Sequence, residues 1–279
     1  MSIIKNLKKY DKNPNTITGG TLYTGIVKIN NLEKDEERLV RIYLPTDYDD
    51  KKRFPVIYMM DGKNLFDKYT SYAGEWGVDE IIEDRINKKQ KSYIVVGIDS
   101  ALDGMVRVEE MLPNNNHLTN IDDIKENIPS RGEILGEWIV KALKPEIDKL
   151  FKTLSDKENN AIAGSSMGGL FSFYMGFKYP DIFGMIFSFS PAFCLYEEAY
   201  YKNELQKLDI NKADMKLYLL VGELEYENQF VSLTNYTYKK LLEIGMKKEN
   251  IKYVHDLEGI HHETFWNKYF NDAINHWEK

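Results

Sequence analysis

Two periods of apolar residues alternate along the chain. "LYTGIVKI" (22–29) and "RLVRIYL" (38–44) alternate apolar and polar positions, the pattern of strands with one covered face. Six later runs are short and almost wholly apolar: "PVIYMMD" (55–61), "YIVVGID" (93–99), "NAIAG" (160–164), "GMIFSFS" (184–190), "KLYLLVG" (216–222) and "IKYVHDL" (251–257). Such runs suit strands buried on both faces. Between them, "EWGVDEIIEDRINK" (75–88), "EILGEWIVKALKPEIDKLF" (133–151), "MGGLFSFYMGFKY" (167–179), "NYTYKKLLEIG" (235–245) and "HETFWNKYFNDAINHW" (262–277) carry helical spacing. Strands that alternate with helices predict a three-layer α/β domain with a mostly parallel, eight-stranded sheet.

Residues 1–20 are polar and predict an N-terminal arm, leaving 21–279 as one domain, because no later stretch reads as a linker or a repeat. Length and composition do not disturb this: 279 residues with 43% apolar side chains bury a sizeable core. Charge narrows the partners. The net −7 and the lack of a basic run beyond "KKR" (51–53) argue against nucleic acid. No run approaches the length of a membrane span, the first residues lack a signal-peptide core, and one cysteine, Cys194, fits a reducing compartment. These features predict a cytoplasmic protein with no membrane contact, a monomer or homodimer.

Ligands of open α/β sheets bind beyond the carboxyl ends of the strands. After "NAIA" stands "GSSMG" (164–168). Glycine two residues either side of Ser166 leaves room for a sharp strand-to-helix turn that lifts the hydroxyl into a cleft; the plain alternative is a packing turn. Met167 would open the next helix, where its amide has no intrahelical partner and can face an oxyanion. After "KLYLLV" come three acids, Glu223, Glu225 and Glu227, equally the composition of a solvated loop. After "IKYVHDL" come His261 and His262, for which helix capping is the plain alternative; His117, His255 and His276 fall in a loop, a strand and a terminal helix. The order serine, acid, histidine is that of the α/β-hydrolase triad. A second oxyanion amide would come from "DGKNLFD", at Lys63 or Gly62. No helical H-x-x-x-H, no C-x-x-C and no glycine-rich nucleotide fingerprint occurs, so neither a metal nor a cofactor is expected.

With these residues in view, the chain from about residue 20 onward resembles the putative-esterase family of α/β-hydrolases, which includes enterochelin and bacillibactin esterases, feruloyl esterases, esterase D and mycolyltransferases. The resemblance rests on "VRIYLPTDYD", "FPVIYMMDGKNLFD", "VVGIDS", "RVEEMLP", "LKPEID", "AGSSMGGL", "VGELE" and "GIHHETFW". It implies Ser166 as nucleophile, Glu225 as the acid and His261, rather than His262, as the base. It implies oxyanion amides at Lys63 and Met167. Where the family shows Gly-Gly-His with tryptophan five places on, this chain has Gly259, Ile260, His261 and Trp266; the isoleucine departs from the pattern. Arg107 and Glu110 match R-x-x-E-x-x-P, read first as structural ion-pair residues and second as substrate contacts. The resemblance implies a small-molecule ester as substrate: a ferric catecholate trilactone or another small aryl or acyl ester, a hydroxycinnamoyl or acetyl ester of a carbohydrate, or acyl transfer by the same acyl-enzyme. Residues 100–131 read as a long loop bordering the cleft, and only 25 residues (191–215) separate the sixth and seventh strands, so an open cleft with little or no lid is expected.

Overall fold

The computed structural model describes residues 2–30, 32, 37–119, 128–210, 214–225 and 228–279. Its strands are β1 (Lys5–Lys9), β2 (Thr21–Lys28), β3 (Glu37–Leu44), β4 (Val56–Met60), β5 (Ile94–Ile98), β6 (Asn160–Ser165), β7 (Met185–Phe189), β8 (Lys216–Gly222) and β9 (Ile251–Asp256). They form one sheet in the order β1-β2-β3-β5-β4-β6-β7-β8-β9. The pairs β1–β2, β2–β3 and β3–β5 are antiparallel, and every pair from β5 through β4 to β9 is parallel. This is the α/β-hydrolase fold, with nine strands rather than the expected eight. The extra strand is "KNLKK", inside the stretch read as an arm. It is mostly exposed and has no apolar period of its own; pairing with β2 creates it.

The helices are α1 (Val78–Asn87), α2 (Gly104–Met111), α3 (Gly132–Trp138), α4 (Lys144–Leu150), α5 (Met167–Lys178), α6 (Glu198–Gln206), α7 (Asn228–Glu243) and α8 (Glu263–Glu278). Alternate strand residues point to opposite faces. In β4, Val56, Tyr58 and Met60 join the core beneath α3 to α7, while Ile57 and Met59 join the core beneath α1 and α8. The run read as one helix over 133–151 is α3 and α4 joined by a π turn at Ile139–Leu143. Pro145 explains the turn: it has no N–H to give, and its ring would strike the carbonyl one turn back in a regular helix. Helix α2 lies in the stretch read as loop and is started by Asp103, whose side chain accepts from the Met105 and Val106 amides. No helix among the described residues is long and apolar enough to cross a membrane.

Candidate active site

The turn between β6 and α5 carries Ser166 at φ 57°, ψ −121°, a conformation that costs a non-glycine residue on the order of 1–3 kcal/mol. Packing enforces it. A Cβ on Gly164 would lie 2.6 Å from the Gly168 backbone, so the strand end and the first helical turn touch only because both residues are bare. The Ser166 amide donates to the Phe189 carbonyl (3.0 Å), and its own carbonyl accepts from Leu170 and Ala192. The backbone is thus held on three sides while the hydroxyl is left to the cavity above. The Met167 amide opens α5, and no acceptor among the described residues takes it.

The loop after β4 faces this turn. A Cβ on Gly168 would come within 3.1 Å of the Met60 Cβ and 3.4 Å of an Asp61 carboxyl oxygen. Asp61 itself is left-handed (φ 56°, ψ 47°), and a short helical turn, Gly62–Asn64, follows it. Two guanidinium N–H groups of Arg107 (2.7 Å each) and the Ser100 hydroxyl (2.6 Å) hold the Asp61 carboxylate. Burial pushes this carboxyl up, but the Arg107 charge and these hydrogen bonds outweigh it and hold it below its ordinary range. Thr70 donates to the Lys63 carbonyl (2.7 Å), tying the following peptide down from the other side. The Lys63 amide has no acceptor among the described residues, and its ammonium lies over the Tyr72 ring, 5.3 Å from the centroid.

The third limb comes from the loops after β8 and β9. Glu225 is buried, and its Oε2 stands 3.0 Å from His261 Nδ1. Its Oε1 accepts from the Ser190 hydroxyl (2.5 Å) and the Gly222 amide (2.7 Å). The His261 ring packs edge-on to Trp266 and Phe230, at centroid distances of 5.2 and 5.1 Å. Ser166, His261, Lys63, Arg107, Trp266 and Glu263 all line one cavity of about 300 Å³. Glu263 is 5% exposed; burial raises its pKa, and Asn64 donates to it.

The remaining candidates sort clearly. Glu223 points to solvent and bonds His255 at 2.6 Å, so it is not beside His261. Glu227 lies outside the described residues, as do 120–127 of the long loop. His262 caps α8 by accepting from the Thr264 amide, and its other nitrogen meets the Ala73 carbonyl at 3.1 Å. Arg107 and Glu110 do not pair with each other. Glu110 is buried and its ion pair is with Arg38 instead; its other oxygen accepts from the Ala101 amide, and it does not line the cavity. Arg107 does line the cavity, but two of its N–H groups are committed to Asp61. Sequence reasoning missed Ser190, which sits at the end of β7 with φ 42°; its type and position gave no signal. Among the described residues the only cluster of metal-ligating atoms is Glu75, Asp79 and Glu80, none of which lines this cavity.

A strained serine turn, two amide-bearing loops and a carboxylate–imidazole pair at the carboxyl edge of a mostly parallel sheet are features of α/β-hydrolases. The family model of the putative esterases matches residues 33–277, and the chain belongs to that family, whose reaction class is carboxylic ester hydrolysis. The chain is 21% identical over 252 residues to the uncharacterized protein YbbA of Bacillus subtilis (strain 168), covering 86% of this chain and 92% of YbbA. Among solved structures it is similar to the enterobactin esterase FES of Shigella flexneri, with a TM-score of 0.70 and 19% identity. The match covers 91% of this chain but only 58% of the Shigella protein. It is also similar to a ferulic acid esterase, with a TM-score of 0.67 and 14% identity, over 93% of this chain and 98% of that one.

Proposed function

We propose that the protein is a serine esterase that works through an acyl-enzyme on a small-molecule ester. A serine hydroxyl is a poor nucleophile until a base takes its proton. In this reading His261 Nε2 accepts the Ser166 proton as Oγ attacks the ester carbonyl. The oxyanion is received by the Met167 and Lys63 amides, the leaving alcohol takes the proton from His261, and water repeats the cycle to free the acid. Glu225 holds the Nδ1–H tautomer and stabilises the imidazolium. The observation that carries the reading is that a serine on a strained turn and a histidine bound to a buried carboxylate open on the same cavity.

The substrate we favour is a catecholate trilactone or another small aryl ester. The Lys63 ammonium lies over the Tyr72 ring and both line the cavity, which supplies a cation and an aromatic face beside the Arg107–Asp61 pair. The likeness to FES and to a ferulic acid esterase agrees with either. The single cysteine, buried, accords with a cytoplasmic enzyme acting on imported esters. The test is a kcat/KM panel of a ferric catecholate trilactone, methyl ferulate, acetylated xylo-oligosaccharides and short p-nitrophenyl esters. Preference for the catecholate or ferulate by about 100-fold or more, equivalent to roughly 2.7 kcal/mol, is expected. Preference for the acetylated oligosaccharide would overturn the aryl assignment, and no turnover of any ester would overturn the activity.

A further inference from the structure

The carboxylate behind His261 is held by a chain of groups that the esterase reading does not use. Trp266 Nε1 lies 2.8 Å from Ser190 Oγ, and Ser190 Oγ lies 2.5 Å from Glu225 Oε1. All three residues are buried. An indole N–H can only donate, and a hydroxyl has one proton. The direction of the chain is therefore fixed: Trp266 donates to Ser190, and Ser190 must spend its proton on Glu225. The Gly222 amide donates to the same oxygen. With Oε1 taken by these two donors, Oε2 is the oxygen left to face His261 Nδ1, 3.0 Å away.

Resting on that reading, we infer that Ser190 and Trp266 are positioning residues that set the proton of His261 on Nδ1, so that Nε2 carries the lone pair toward Ser166. Neither residue touches the reacting atoms through this chain; each acts through Glu225. The geometry of Ser190 supports a role beyond packing. It sits at φ 42°, where glycine is favoured, and its amide donates to the Leu220 carbonyl at 2.7 Å. A strained backbone carries a hydroxyl at its tip, aimed at the buried acid that bonds His261. Trp266 contributes twice, since its ring edge also packs on the His261 imidazole.

Ser190→Gly is the discriminating variant, because it relieves the backbone while deleting the hydroxyl. Loss of a hydrogen bond to a charged group predicts a fall in kcat of roughly 10- to 100-fold. KM should hold, since no substrate contact is removed. Trp266→Phe keeps an aromatic ring but removes the donor, and should lower kcat less. The His261 Nδ1 proton, read as a far-downfield proton NMR resonance in the full-length protein, should be present in the wild type and lost or exchange-broadened in Ser190→Gly. Ser166→Ala, measured alongside, separates the two claims. If Ser166→Ala is silent while Ser190→Gly keeps wild-type kcat and the downfield proton, the relay is wrong and the esterase reading stands. If Ser166→Ala stays active the esterase reading falls, and the NMR resonance still decides the relay.

Discussion

The two halves of the candidate site are built by different physics. The serine half is local: within five residues, Gly164 and Gly168 let strand and helix touch, and the strain at Ser166 is imposed by backbone contacts alone. The histidine half is assembled from three distant segments, at 190, 222–225 and 259–266, joined by side-chain hydrogen bonds around one buried carboxylate. A local turn tolerates no added volume. An assembled network adds a second way to fail, the loss of one donor or acceptor, because the low-dielectric interior leaves the partner unsatisfied.

Substitutions on the two halves should therefore fail in different ways. The nucleophile itself aside, the largest effect falls on the assembled half. In Glu225→Gln the amide oxygen can keep the Ser190 and Gly222 donors only by turning its NH2 toward His261, which forces the wrong tautomer. Turnover should drop about 10⁴-fold with the fold intact. Glu223→Gln, which alters only the exposed pair with His255, should match the wild type; equal losses in the two variants would erase the distinction between these acids. On the local half, Gly164→Ala drives a Cβ to 2.6 Å from the Gly168 backbone. It should lower both stability, by about 1–3 kcal/mol in urea unfolding, and activity. Activity lost at unchanged stability would mean that the turn is not held by close packing.

The smallest effect lies outside both halves and serves as their control. Burial, joined by the Glu80 charge, pushes Asp79 up to about 8. An unfolded aspartate titrates near ~3.9, so between these values the folded chain keeps a proton that the unfolded chain has lost. The sign follows: stability falls as pH rises through that window. Asp79→Asn should flatten the decline of Tm between pH 5 and 8 while leaving turnover at the wild-type level. An undiminished decline would place the buried proton elsewhere.

The same division explains what the sequence could disclose. The strands of the parallel body were legible because burial on both faces leaves near-continuous apolar runs. The elbow was legible because its cause, two glycines around Ser166, is written in adjacent letters. Strand β1 was not, since "KNLKK" becomes a strand only by pairing with β2. Helices α2 and α6 were missed because short, polar segments carry weak periodicity; α2 depends on one capping aspartate. Spacing alone left Glu223, Glu225 and Glu227 equivalent; the family resemblance pointed to Glu225, and the tertiary approach of the loop after β8 puts Glu225, not Glu223, beside His261. Ser190 was invisible, for its role depends on a positive φ and on a tryptophan 76 positions away.

The central claim is that Ser166 is the residue acylated during turnover. Intact-protein and peptide mass spectrometry after reaction with a fluorophosphonate, with ester hydrolysis followed in parallel, tests it directly. The account predicts one adduct, on the peptide carrying Ser166, forming as activity is lost and absent from Ser166→Ala, whose turnover falls about 10⁶-fold. An adduct on another residue, or hydrolysis by Ser166→Ala near the wild-type rate, would contradict it.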